Sequence, residues 1–419
     1  MFDRDKWYEI LQVVLQNPLR AVLSGLGVSW GIFMLIITVG SATGLENGVK
    51  ADMSDVAKNS AFMWTQSTSM PYKGFSRGRY LRITNADVEY MRENLQKIEL
   101  VCPRNEIGGY QGTANVIRGI NTGAFSVYGD YPEFPLIKPM KIVDGRFINY
   151  GDIHENRKVC VIGSRVRTVL FPDGEDPKGQ YIQIFGVGFQ VVGVFDSLAK
   201  GEDAQEETAS IFTPFTTFQK AFNQGDEVGW LSILLKEDVP TEEAVTEIKD
   251  MIKQRLSIHP DDPRAIGYWS MAEELEDVNN VFSGFAIVSF TFGFLVLLAG
   301  VIGIINIMLI TVKERTKEIG VRRSLGATPV NIIFQIIYET VFLTVISGAA
   351  GMIFGVFALE GVNILLQSMG DTGSFRNPGI EFKTVVTALS IMIVMGGFAG
   401  LIPALRAVSI KPVDALRAE

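Results

Sequence analysis

Residues 285–312 read FAIVSFTFGFLVLLAGVIGIINIMLITV, and residues 313–331 continue as KERTKEIGVRRSLGATPVN. The first segment carries no charge and exceeds the roughly 20 residues that a helix needs to cross a hydrocarbon core of about 30 Å. The second leaves that apolar run through an alternating charged stretch, Lys313 to Glu318. Ile319, Arg322, Arg323 and Leu325 then fit a short amphipathic helix, ended by Gly326, and Pro329 opens the next helix. A short helix that is basic on one side and apolar on the other suits docking to a partner protein. Arginines beside a span can also do no more than set its topology.

Working outward, three further apolar stretches reach spanning length: about Ala21–Ser41, Ile332–Leu359 and Val385–Leu405. Four runs this long and apolar on all sides are not the pattern of buried helices in a soluble protein. The expected organisation has three parts. Residues 1–41 hold an amphipathic surface helix and the first span, and residues 42–283 a large domain. Residues 284–419 hold span two (285–312), a coupling loop (313–331), span three (332–359), span four (385–405) and a tail. Leu11, Val14, Leu15 and Leu19 recur at helical spacing ahead of the first span, as in a helix lying on a membrane surface. That span is too long for a signal-peptide core, and Ser41-Ala42-Thr43 is a poor cleavage site.

The charges agree with this division. Of 419 residues 47% are hydrophobic, mean hydropathy is +0.23, and the net charge of −8 argues against nucleic-acid binding. The first twenty residues, 313–331 and 405–419 together hold eleven basic against seven acidic residues, leaving the remainder strongly acidic. Short basic flanks stay in the cytoplasm, so the expected placement is a multi-pass protein of the cell inner membrane with both termini cytoplasmic. Residues 42–283 then face outward, and about 361–383 form a short outer loop with Gly370, Gly373, Pro378 and Gly379 as turn signals.

The large domain reads as α+β. Strand-like alternation appears at 115–120, 158–162, 181–185, 189–195 and 231–235. Asn85-Ala86-Asp87 can cap one helix, and a second is expected over Thr241 to Leu256. Strand-rich sequence from about 116 to 208 between two mixed segments suggests a β-rich subdomain inserted into a mixed α/β part. The acidic stretch Gly201 to Thr208 reads as a solvated loop. Met271 to Val278 reads as helix running straight into span two. Cys102 and Cys160 allow either one disulfide or two separate core residues.

Catalytic constellations are missing from this sequence. His154 and His259 have no second His or Cys at metal-ligand spacing and read as surface residues. Glu273-Glu274 and Asp261-Asp262 read as solvated pairs, and no Gly-x-Ser-x-Gly elbow occurs. The phosphate-binding pattern Gly-x-x-x-x-Gly-Lys-Ser/Thr is absent as well. No enzyme activity, cofactor or metal is therefore expected on this chain, and nucleotide-driven work would come from a partner. Glu339 and Glu360 are acids in or beside span three, a costly position that marks a site by default. Both are expected near an interface, where water is in reach.

The order of residues from Glu314 to Ala327 resembles the signature of FtsX-like permeases of ABC transporters, most closely the MacB type, with Ser324 where alanine is usual. Asn17-Pro18-Leu19-Arg20, Val161 to Ser164, Leu170-Phe171-Pro172, Asp176 to Gly179, Phe189 to Val194, the pair Gln335 and Glu339, Pro403-Ala404 and Ile410 to Arg417 extend the likeness along the chain. The resemblance implies four transmembrane helices plus a large α+β periplasmic domain with an inserted β-rich subdomain. It implies a homodimer that couples ATP hydrolysis to export by mechanotransmission, without a channel through the spans. The best-known MacB proteins carry their ATPase on the same chain, ahead of the first span; this sequence starts at the surface helix, so ATP and Mg are expected on a separate ABC ATPase. Docking would use Glu314, Arg315, Lys317, Glu318, Ile319, Arg322, Arg323, Leu325, Gly326 and Ala327. Expected surroundings are membrane lipid, a periplasmic adaptor and an outer-membrane duct. A regulatory permease that controls a cell-wall hydrolase or senses antimicrobial peptides, or one that releases lipoproteins, are the alternatives.

Overall fold

The computed structural model describes residues 18–53, 56–108, 115–199, 201–369 and 375–409. The surface helix expected before residue 18, the motif at 410–417, and Gly370 and Gly373 lie outside them. The described chain forms two compact units, residues 50–279 and a second made of residues up to 49 with 280 onward.

In chain order, helix α1 (Pro18–Asp52) is followed by β1 (Ser60–Thr65), β2 (Ile83–Thr84), α2 (Asn85–Asn94) and β3 (Ile98–Gly108). A strand-rich stretch comes next: β4 (Val116–Arg118), β5 (Asn121–Gly123), β6 (Ser126–Asp130), α3 (Phe134–Ile137), β7 (Lys141–Gly145), α4 (Tyr150–His154), β8 (Val159–Gly163), α5 (Ser164–Leu170), β9 (Tyr181–Ile184) and β10 (Val187–Asp196). The chain returns through α6 (Gly201–Glu207), β11 (Ser210–Pro214), α7 (Phe215–Ala221), β12 (Glu227–Val228), β13 (Trp230–Leu235), α8 (Thr241–Arg255) and β14 (Ile266–Ser270). Four helices close it: α9 (Met271–Glu314), α10 (Thr316–Ser324), α11 (Pro329–Met369) and α12 (Phe382–Ser409).

In the α/β unit one mixed sheet runs in the order β14-β1-β13-β3-β6-β11-β8-β10-β9-β4-β5, with β7 beside β10. Strand β3 is the seam. Its first half pairs with β13 and its second half, from Asn105, pairs with β6. Two cores follow from this. Met63, Met91, Ile233 and Ile248 belong to the core that includes β1, β13, α2 and α8. Cys160, Ile182, Phe189 and Phe218 belong to the core of the strand-rich insert. Cys102 and Cys160 are buried in different clusters and both thiols are free, so they act as separate core residues.

Several local expectations need correction. Residues 201–207 form a helix instead of a loop. Ala204, Gln205, Glu206 and Glu207 are good helix formers, and Thr208 closes the turn by donating to the Ala204 carbonyl. The N-cap of α2 is Thr84, one residue earlier than expected; Asp87 accepts from both its N–H and its hydroxyl. The strand expected at 115–120 stops at Arg118, where Gly119 turns at a φ of 59°. His154 is exposed, but His259 is half-buried against the Tyr72 ring, 5.4 Å between centroids.

Asp262 is not solvated either; it is 2% exposed. Its carboxylate accepts from the Ser69 hydroxyl (2.6 Å) and from the N–H groups of Ser69, Met70, Arg264 and Ala265. Burial alone would raise its pKa, yet these donors hold it down at about 2. The carboxylate thus staples the 66–80 loop to the segment before β14.

A second buried acid lies beside the seam. Asp130, at the end of β6, is fully buried 3.0 Å from the Arg104 guanidinium of β3. The guanidinium lies 4.0 Å from the Tyr128 ring centroid and 4.1 Å from that of Phe134, with Phe212 and Trp230 within 6 Å. Cation–π attraction compensates the lost hydration of the guanidinium. Burial pushes the Asp130 carboxyl up to about 7 against the opposing pull of Arg104.

Arg104→Met leaves that carboxylate without its cation, which is expected to cost about 3–5 kcal/mol at pH 8. The penalty should shrink at pH 6, because the raised pKa lets Asp130 protonate there. Denaturant titrations of the full chain followed by tryptophan fluorescence read both values. Asp262 behaves oppositely. Its depressed pKa contributes stability above the ordinary carboxylate value, lost as pH falls from about 4 to about 2. Asp262→Asn should therefore melt below the unaltered protein at pH 7, with the gap closing over that window.

Candidate functional site

In the helical unit, α1, α9, α11 and α12 share one core that includes Val28, Ile32, Leu297, Ile304, Ile336 and Met392. Close approach of α1 to α9 depends on glycine. A Cβ added at Gly27 would lie 3.0 Å from the Gly300 Cα. All four helices are long and apolar enough to cross a membrane.

The charged segment between the second and third of these helices is ordered. Helix α9 ends at Glu314, Arg315 caps α10, and α10 ends at Ser324. The end of α10 is a Schellman turn. Ala327 N–H donates to the Arg322 carbonyl (3.0 Å) and Gly326 N–H to that of Arg323 (3.2 Å). Gly326 takes a φ of 99°, a left-handed conformation that a side chain would strain.

Helix α10 is two-faced, and its arginines point inward. Arg315 donates to both carboxylate oxygens of Glu339 on α11, at 3.3 and 3.4 Å. Arg322 donates to Gln335, one turn earlier on the same helix (3.1 Å), and to Glu318 of α10 itself (2.8 Å). Arg323 donates to the Val408 carbonyl in the last turn of α12 (2.7 Å), where a cation also suits the helix dipole. Ile319 packs on the core of the helical unit and Gly320 is buried. A cavity of about 30 Å³, lined by Arg315, Glu318, Arg322, Gln335 and Glu339 among others, lies between loop and span. That is room for about two water molecules.

The opposite face looks away from the bundle. Lys313, Glu314, Lys317, Glu318, Val321, Ser324, Leu325 and Gly326 are exposed, Leu325 by 84%. Lys317, Val321 and Leu325 follow one another at four-residue intervals and so form a single stripe. Ala327 is half-buried. Of the ten residues expected to dock a partner, Arg315, Arg322, Arg323 and Ile319 thus contact the bundle, and Lys317 and Leu325 are presented outward.

Residues 21–251 match the model of the MacB-like periplasmic core domain, and residues 290–412 that of the FtsX-like permease C-terminal domain. The chain belongs to the MacB/FtsX family of ABC transporter permeases. Relatives of this permease include the "Pyoverdine export ATP-binding/permease protein PvdT" of Pseudomonas savastanoi, 28% identical over 97% of this chain. The "Macrolide export ATP-binding/permease protein MacB" of Bdellovibrio bacteriovorus is 26% identical over the same share. The chain spans only 58% and 61% of those two relatives. The "Uncharacterized ABC transporter permease YvrN" of Bacillus subtilis is 29% identical, and 98% of its length is covered.

Sequence reasoning missed the partner of Glu339, which is 5% exposed and faces the Arg315 guanidinium. A sequence signal existed. Gln335 and Glu339 lie four apart and share a helix face, and they are complementary to the arginines of the neighbouring charged segment. Glu360, by contrast, is exposed. Among the described residues no cluster of three or more His, Cys, Asp or Glu is arranged to hold a metal ion.

Proposed function

We propose that this permease works in an ABC exporter whose ATP is bound and hydrolysed, with Mg, by a separate subunit docked on α10. The observation that carries this is the division of labour on α10. Its arginines are engaged by the bundle, while Lys317, Val321 and Leu325 form an exposed basic and apolar stripe. An exposed leucine at the end of an ordered helix is suited to a pocket on a partner. The charges flanking residues 285–331 support a cytoplasmic side for this helix and an outward side for the α/β domain. A periplasmic adaptor and an outer-membrane duct would receive the substrate there.

The reading includes mechanotransmission. Helix α9 is unbroken over 44 residues, about 66 Å at 1.5 Å per residue. Its first turn is tied to β14, since Tyr268 donates to Glu273 (2.9 Å) and Trp269 to Glu274 (3.2 Å). Movement imposed at Glu314 has a direct helical path to that sheet.

A homodimer is part of the same reading. Residues 278–312 form an uncharged run of about 35 residues, against about 20 to 25 in the other three spans. At about 52 Å it outruns a 30 Å hydrocarbon core, so lipid does not cover all of it. Phe285, Val288, Phe292, Leu295 and Ile302, each more than half exposed, lie on one heptad line, and the exposed amide of Asn306 continues it. An apolar heptad seam with one polar asparagine suits pairing with the same helix of a second copy.

Purification of the tagged chain in mild detergent tests the docking reading. An ATP-binding subunit is expected to be captured, and Leu325→Glu should lower its yield at least fivefold with membrane insertion unchanged. Equal yield removes the docking role, and ATP hydrolysis by the chain purified alone removes the separate subunit. For the dimer, single cysteines at Ile302 and Asn306 should cross-link copies in membranes, while one at buried Leu297 should not. Failure at both stripe positions refutes the seam.

A further inference from the structure

A carboxylate inside an apolar helix persists only when something holds it. Glu339 is 5% exposed on α11, and Arg315 reaches it from the corner between α9 and α10. One turn before it, Gln335 takes Arg322 from the last turn of α10. Two successive polar positions on one face of α11 thus meet two arginines, one at the corner before α10 and one on α10 itself. Arg323 adds a third tie, to the end of α12. With these contacts satisfied, the side of α10 left over is the side of Lys317, Val321 and Leu325. The helix is too short, at nine residues, to hold that orientation by itself.

We infer that Glu339 is a positioning residue for the docking helix: through Arg315, and with Gln335 acting through Arg322, it latches α10 to the third span and turns the Lys317–Leu325 stripe outward. The inference rests on the docking reading above for what the stripe meets, but the latch itself is a property of this chain. It also gives the loop a load path. A displacement of α10 enters α11 through Glu339 and Gln335 and α12 through Val408, in addition to passing along α9. The cavity beside Glu339 fits this role. A space for about two waters lets the ion pair shift without leaving either charge dry.

The test uses the full chain in lipid nanodiscs with a nitroxide on a single introduced cysteine, Leu325→Cys. Cys102 and Cys160 are buried, and burial pushes the Cys102 thiol up to about 12 and Cys160 up as well, so the label goes to the introduced site. Glu339→Gln and Arg315→Glu are each expected to shorten the rotational correlation time of the label at least twofold. The charge swap Arg315→Glu with Glu339→Arg should return it to the unaltered value. An unchanged spectrum in Glu339→Gln, or a swap that does not restore it, overturns the latch. Should Glu339→Gln fail to insert, Gln335→Leu carries the same readout. Capture of the ATP-binding subunit should fall in the single variants and recover in the swap, which a merely destabilised loop would not do. If the unaltered chain captures no such subunit, the docking reading fails while the nitroxide spectrum still decides the latch.

Discussion

Charge is excluded from hydrocarbon, and that constraint sorts this chain. Three helices carry uncharged runs close to membrane length, and their flanking charges mark where water begins. The fourth, α9, is uncharged for far longer than a bilayer needs. Glu339 breaks the rule and shows the rule operating. Its carboxylate sits below the helix end and draws Arg315 inward, and the loop folds around that pair. The same residue types that announce a cytoplasmic loop in sequence are therefore spent partly on holding the loop in place.

The two buried acids of the α/β domain show two ways of meeting the cost of burial. Asp262 stays charged because five donors surround it, four of them backbone N–H groups, two from the loop it holds and two from its own segment. Asp130 has a single guanidinium, itself enclosed by aromatic rings, and burial raises its pKa against the opposing pull of that one cation. Hydrogen-bond donors stabilise the ionised form at short range; one cation shared with four rings does so less completely. The first arrangement suits a staple that must hold under all ordinary conditions. The second sits beside the strand that links two cores.

Legibility followed sequence distance. Spans and strands were readable because apolar run length and alternation are local properties; Val159–Gly163, Trp230–Leu235 and Thr241–Arg255 lie within a residue or so of where the pattern puts them. Family membership was readable because the Glu314–Ala327 segment has an ordered, specific pattern. Asp262 looked solvated because its main partners, Ser69 and Met70, are more than 190 residues away. Residues 201–207 looked like a loop because acidic, polar sequence suits both a solvated loop and a short exposed helix. The loop arginines were identifiable as important, but a list of residue types carries no direction. Which face of α10 meets the bundle depends on Gln335, Glu339 and Val408, contacts that only the folded arrangement brings together.

Direction is what turns a basic segment into a mechanical part. A flexible arginine-rich loop could bind a partner and still transmit little, because its movement would be absorbed by its own backbone. Here the loop is a capped helix with a Schellman end, bonded to the third and fourth spans and joined through the single residue Arg315 to the second. In the proposed exporter, displacement at the stripe would reach three spans together, and one of those spans is the unbroken helix whose first turn is bonded to the sheet. The ion pair at Glu339 is the joint in that path where ionic attraction, not covalent continuity, carries the load. It is therefore a point at which a single change of charge would loosen docking and coupling together.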